Sequence, residues 1–489
     1  MVKKKMQNLG VLFVALLTFS IIGFIISVNF NSSNAISELT DEYNSLKTSA
    51  TYLDIEIDAL ATTNTSTSGN WTWAKENGYC TGFGTSGSPY VIQNHIFEYF
   101  SGSGDCLRIL NSREYFTIRD CSFRNSAGSG TGLFLFNVTN GRILNCDAFS
   151  NYNGIEIEEV NNTELTGNHV YGNVAGMIID SSHINTISNN NVSANAIDGI
   201  YVTQSTFNTI SYNLANENGY GISLNPNCDN NKLIGNTVNL NSQNGIDINS
   251  CDSLTIHKNS VYSNTLNGIL VDGAYNLLCT SNTANENKQN GILFDNTDDS
   301  EIENNIAHNN GMNGIALTAS STLNILKLNY AQKNNLSGIL LDSGCHNNIL
   351  VSNTVKENDK HGIYLIGSNN NVLTDNIANS NEMNGIHLES SNGNAIILNT
   401  ANGNKNGTFL DGSNNNKIIN NILLGNLICF NETGSVGNIF EGNICTSTEG
   451  FTIDLAITSV VLLVFVIIES VVIGAIVAWF YMKKRKPKT

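Results

Sequence analysis

Basic residues are scarce in this sequence, 24 Lys and Arg against 41 Asp and Glu in 489 residues, and the few there are crowd the ends. Lys3, Lys4 and Lys5 at one end and Lys483, Lys484, Arg485, Lys486 and Lys488 at the other make eight of the 24, so residues 30–453 hold 16 basic and 39 acidic residues, a net of −23. A surface of that sign repels phosphate, which argues against nucleic acid and anionic lipid as partners. The ten cysteines form no Cys-x-x-Cys motif, which removes the usual zinc site. Gly82-Phe83-Gly84 lacks the strand-to-helix setting of a nucleotide loop. Apolar spacing near 3.6 is missing as well, so a helical solenoid does not fit.

What is present is a repeat. From Gly132 to Gly385 a glycine followed by Ile, Leu or Met recurs every 22 to 24 residues, with a weaker copy at Gly407. Asparagine stands 14 or 15 places after these glycines from Asn168 to Asn421, and again at Asn443; a second asparagine follows five residues later, from Asn173 to Asn426. Asparagine tolerates the left-handed backbone of a corner, and its amide can donate to one copy while accepting from another. Both columns therefore read as ladders at corners. Between corners the apolar residues alternate, as in Ile292 and Phe294 or Ile363 and Leu365. Period two with β-branched residues means short strands, three per repeat. The fold class expected is all-β, a parallel β-helix solenoid of about fifteen turns, roughly 70 Å long at ~4.8 Å per turn.

The run from Asn384 to Asn404, Asn-Gly-Ile-x-Leu-x-x-Ser-x-x-Asn-x-Ile-x-x-Asn-x-Ala-x-x-Asn, resembles the right-handed parallel β-helix repeat of NosD-like and carbohydrate-binding or sugar-hydrolase β-helix proteins. The Gly-x-Gly-Thr…Pro-Tyr-Val-Ile lead-in at residues 82–92 is similar to what precedes the β-helix in archaeal surface proteins of this type. The resemblance implies the handedness; for function it leaves lyases, hydrolases, epimerases, adhesins and binding proteins open.

The ends read as membrane elements. Residues 1–8 form a basic cytoplasmic start, and 9–28 an uncharged run, either a signal peptide or a signal anchor. A juxtamembrane stretch follows at 29–70, an N-terminal cap rich in aromatics and glycines at 71–104, and the repeats at 105–448. Residues 455–481 are apolar apart from Glu469 and read as a transmembrane helix, with a basic cytoplasmic tail at 482–489. The expected location is the cell membrane with the β-helix outside. Cys121 and Cys146, and Cys228 and Cys251, share positions in consecutive turns, within reach of disulfides; buried reduced thiols are the alternative.

With the odd columns of the glycine strand inward, a site on this sheet lies on the even ones. Two places after the glycine stand, among others, Tyr201, Tyr364 and His387; four places after stand Asp272, Asp295, Asp342, Glu389 and Asp411. Carboxylates could take sugar hydroxyls, and the rings could stack on pyranose faces. The same ridge could hold calcium, a cation that prefers oxygen ligands. Solvated strand residues without a ligand are the plainer reading. No Lys or Arg stands in these columns, and the Asp-Pro-His-Glu motif of alginate epimerases is absent; Asn296-Thr297-Asp298-Asp299 lacks the further motifs of polygalacturonase-like hydrolases. NosD-like copper binding would need clustered soft ligands, and His361 and His387, one turn apart, are the nearest thing to a pair. The reading is a membrane-anchored surface β-helix that binds glycan or an extracellular protein on its exposed sheet, no catalytic residue being assigned. The alternatives are a carbohydrate-active enzyme, either polysaccharide lyase or glycoside hydrolase, and a passive spacer.

Overall fold

The structure, a computed structural model, describes residues 51–99 and 104–447. Each turn contributes three short strands, as in Ile269–Asp272, Leu278–Thr280 and Thr283–Asn285. Each strand pairs in parallel with its equivalent in the turns before and after. Three faces result, here called the glycine, second and third sheets in chain order. The second sheet alone has 16 strands, in keeping with about fifteen turns.

The in–out register follows the alternation. Ile292, Phe294, Ile363 and Leu365 are fully buried between the sheets, while the residues between them face outward. The glycines are required by closeness rather than by dihedral freedom. A Cβ on Gly291 would lie 2.7 Å from the Asn310 amide nitrogen and 2.7 Å from the Gly314 carbonyl oxygen, closer than atoms pack.

Both asparagine ladders form. Asn259 donates from Nδ2 to Asn282 Oδ1 at 3.0 Å and to the Leu233 carbonyl at 2.9 Å, while its Oδ1 accepts from the backbone and side chain of Asn236. The second ladder repeats the pattern at Asn264 and Asn287. Of the two reasons the sequence suggests for asparagine, the amide holds and the left-handed backbone does not. The left-handed residue at each corner is the one before the ladder, Lys258, Ser281, Leu328 or Leu398, with φ between 56° and 59°. Asparagine is there for its amide, which satisfies backbone groups that a corner takes out of the sheets.

Two further ladders accompany these. One begins at Asn185, Asn208 and Asn231 and resumes from Asn324 to Asn416. Leu254 and Leu277 fill its place midway, which hides the column from a reading by period. The other lies on the outer face of the glycine sheet, one residue before each glycine, from Asn244 through Asn267 and Asn290 to Asn313.

The stack starts ahead of the expected boundary at residue 105. Thr51–Leu53 pairs with Ile96–Glu98, and Ile55–Asp58 with Leu107–Leu110, so part of the stretch assigned to a juxtamembrane region belongs to the rod. The cap is a short helix, Trp71–Glu76, N-capped by Asn70. It sets Trp71 and Trp73 over the open end of the core, where Trp71 stacks on Tyr90 and donates from Nε1 to Ser112 Oγ. Arg108 occupies the outward column one turn before Phe134 and pairs with Glu56, a basic residue on a sheet expected to have none there.

Cys121, Cys146, Cys228 and Cys251 are buried free thiols, so of the two readings it is the reduced one that holds. A disulfide joins Cys429 and Cys445 instead, at the far end of the stack. Among the described residues no helix is long and apolar enough to cross a membrane. The spans expected at 9–28 and 455–481, and the basic ends, lie outside the described residues.

Candidate functional site

The outer-face ladder that begins at Asn244 runs along the glycine sheet. It passes from Asn313 to the Ser337 backbone at 3.0 Å and then stops being an amide column, because the next turn carries His361. Below it the column returns to asparagine, with Asn406 donating to Asn384 Oδ1 at 2.6 Å. The adjacent outward column changes at the same place, from Leu340 to Tyr364, His387 and Phe409 in register.

The rings gather around His387. Its ring lies 4.5 Å from Tyr364 at an interplanar angle of 2° and 4.8 Å from Phe409 at 12°. His361 stands 4.6 Å from Tyr364 and 4.7 Å from His387. Stacking along the rod has a consequence for recognition. The faces of Tyr364, His387 and Phe409 cover one another, so these rings offer edges rather than the open faces expected for pyranose stacking.

His361 is 5% exposed and His387 7%, and neither Nδ1 nor the His387 Nε2 has a hydrogen-bond partner. Asn406 Oδ1 and Thr408 Oγ1 are buried without partners nearby in the chain, so five of the nine such atoms among the described residues fall in these three turns. Unpaired buried polar atoms cost stability and mark places where a structure serves something besides folding.

Electrostatics follow burial. Burial, the neighbouring His387 and Lys360 pull His361 down to about 3, against the pull of Glu389, and burial takes His387 down to about 4. Both rings are therefore neutral near pH 7, each with one nitrogen that donates and one that accepts. The Tyr364 hydroxyl donates to Glu389. Burial raises its pKa first, followed by that hydrogen bond and the carboxylates of Glu389, Asp342 and Asp411. Exposed Lys360, Met383 and Lys405 precede the strand positions of this column, and half-buried Asp342, Glu389 and Asp411 follow on the acidic column.

Of the residues singled out from the sequence, the structure brings Tyr364, His387 and Glu389 into one cluster with Asp342 and Asp411 beside them. Asp272 and Asp295 are in register with each other, where Asp295 adds to the effect of burial in raising the Asp272 carboxyl. They stand turns away from the histidines, and Asp295 accepts from the Thr318 hydroxyl at 2.8 Å. Thr318 and Ile366 interrupt the acidic column, and no three His, Cys, Asp or Glu side chains among the described residues are grouped to hold a metal ion. The residues missing from the site assigned from the sequence are His361, Asn406 and Phe409; Thr408 belongs to the inward column, in register with Ile386. The signal for His361 is a departure, since its column carries asparagine from Asn244 to Asn313.

A family model for the right handed beta helix region matches residues 105–253, 244–401 and 352–481, which is more than half of the chain. The chain belongs to the right-handed beta helix family. No curated protein matches it. Other right-handed β-helices among solved structures are distant. The Azotobacter vinelandii mannuronan C-5 epimerase AlgE6 A-module is 15% identical, with 71% of this chain and 88% of that one covered and a TM-score of 0.37. The periplasmic alginate epimerase AlgG is 17% identical, with coverage of 77% and 89% and a TM-score of 0.35. The Dettilon tailspike protein gp208 is 15% identical, with coverage of 62% and 60% and a TM-score of 0.35. Likeness this slight conveys no chemistry to this β-helix, whose function has to be read from its own surface.

Proposed function

We propose that this β-helix is displayed outside a cell membrane and binds a linear, uncharged glycan along the outer face of the glycine sheet, over the turns from Ser337 to Asp411. The observation that carries the reading is the break in the outer-face ladder. Where the four turns from Asn244 to Asn313 close their amides on each other, His361, His387 and Asn406 leave buried ring nitrogens and an amide oxygen unpaired. Such groups sit beside carboxylates that accept hydroxyl protons, which is the donor and acceptor mixture a sugar presents. A face whose columns stay in register along the stacked turns suits a polymer. The carboxylates disfavour a polyanionic one.

The test is titration of the full chain against a panel of neutral linear oligosaccharides, beside a variant carrying Asp342→Asn, Tyr364→Ala and Glu389→Gln. The wild type should bind at least one member, and the variant should lose that binding while keeping its β circular dichroism. Chelation of divalent cations should leave binding intact. Absence of binding across the panel, or full binding by the folded variant, would leave the ridge a solvated face and the protein a spacer.

The membrane part of the proposal rests on the apolar segments at 9–28 and 455–481 with their basic flanks. Protease added to intact cells should digest the rod and leave a tag on the C-terminal tail protected. Loss of the tag from outside would reverse the orientation.

A further inference from the structure

The second sheet changes character halfway along. Its outward residues in the first half are mainly polar, such as Arg142, Glu164, Thr186, Thr209, Lys232 and Thr255. From Ile325 onward the same column runs Ile325, Ile349, Val372, Ala395 and Lys417, and its companion two residues on runs Lys327, Val351, Thr374, Ile397 and Ile419. Ile325, Ile349 and Val372 are 37–40% exposed, and the corner residues Leu323, Leu328 and Leu398 that flank this face are more than half exposed. A flat face of exposed β-branched residues is a place where another surface docks.

We infer that this face is the interface of a two-fold dimer, the partner being a second copy of this chain. The argument is charge. The chain has a net charge of −17, so two copies repel over most of their surfaces, and this face carries only Lys327 and Lys417 between Ile325 and Ile419. It is also self-complementary. Lys327 pairs with Glu301 and Glu303 at one end, a triad with one excess negative charge, while Lys417 stands exposed at the other. A two-fold axis along the strands, between the turns of Ile349 and Val372, runs the rods antiparallel and keeps each column over itself. Ile325 then meets Ala395, and Lys417 of each copy lies over Glu301 of the other, twice by symmetry.

The area agrees with a weak complex. Eight turns from Leu278 to Ile439 at ~4.8 Å each, about five residues wide, give roughly 500 Å² per copy, so roughly 1,000 Å² in all, the low end for a specific interface.

Sedimentation equilibrium of the full chain in non-ionic detergent, which keeps the apolar ends from associating, tests the inference. The mass should double with rising concentration, with a midpoint below ~100 µM as suits an interface of this size. Val372→Asp should abolish dimerisation. Lys417→Glu should weaken it about tenfold or more through two like-signed contacts, and Glu301→Lys added to Lys417→Glu should restore it, since that exchange recreates the pairing with signs reversed. Recovery in the double variant also shows that the single one was folded. A monomer throughout, as when another segment of the chain covers the face, or a dimer indifferent to both Val372→Asp and Lys417→Glu, would overturn it.

Discussion

Replacing Asn259 by Ala should destabilise the rod by about 4 kcal/mol, because several buried groups lose their partner at once and each costs ~1–3 kcal/mol. The Leu233 carbonyl loses the Nδ2 donor, Asn282 Oδ1 loses one of its two donors, and the backbone N–H and amide of Asn236 lose their acceptor. Nothing can relax to replace them, since the column is fully enclosed and water is excluded. Asp272→Asn on the outer face, by contrast, should change stability by less than ~0.5 kcal/mol, as surface substitutions do. Denaturant unfolding of the two variants measures the difference. Equal effects would mean that the in–out register described here is wrong. In a solenoid the damage should also be local, opening the turns next to Asn259 before the ends of the rod.

Acid should open the turns around His361 and His387 before any others. Both are held neutral in the folded rod, at about 3 and about 4, against an ordinary value of 6.5. The unfolded chain therefore binds protons that the folded one refuses as pH falls below 6.5. The two histidines' contribution is intact above that pH and declines until it is lost near pH 3–4, a change on the order of 5 kcal/mol for the pair. His387→Phe keeps a ring between Tyr364 and Phe409, removes one of the two ionisable groups and should flatten part of this slope. Hydrogen exchange of the strands His361–Ile366 and Asn384–Glu389 between pH 7 and pH 4 is the measurement. If the variant lost protection with acid as steeply as the wild type, the histidines would not be the source.

The spacing of Gly132 to Gly385 and of the two asparagine columns made the architecture legible, because a β-helix must place the same residue at the same enclosed position in every turn. The cause behind each column was harder to see. Left-handed φ falls on Lys258 or Leu398, residues with no turn-forming signature, since the ladder amide beside them compensates for their strain. The disulfide between Cys429 and Cys445 was illegible because it crosses the core at the terminus instead of joining equivalent positions.

At the site, sequence spacing placed Tyr364, His387 and Glu389 on the outer face but said nothing of ring orientation. Parallel in-register stacking turns their faces toward each other, and that decides what they can offer a ligand. His361 was read only as a possible pair with His387 and not as part of the outer face; the bonded amides from Asn244 to Asn313 show that its column lies there.

The outer face of the glycine sheet between Ser337 and Asp411 receives a glycan on this reading, and the crystal structure of the chain with its tightest-binding oligosaccharide tests it most directly. The sugar should lie along the rod axis with hydroxyls on the Glu389 carboxylate, over the ring edges of His361 and His387. A sugar bound on another face, or on this one but away from both histidines, would contradict it.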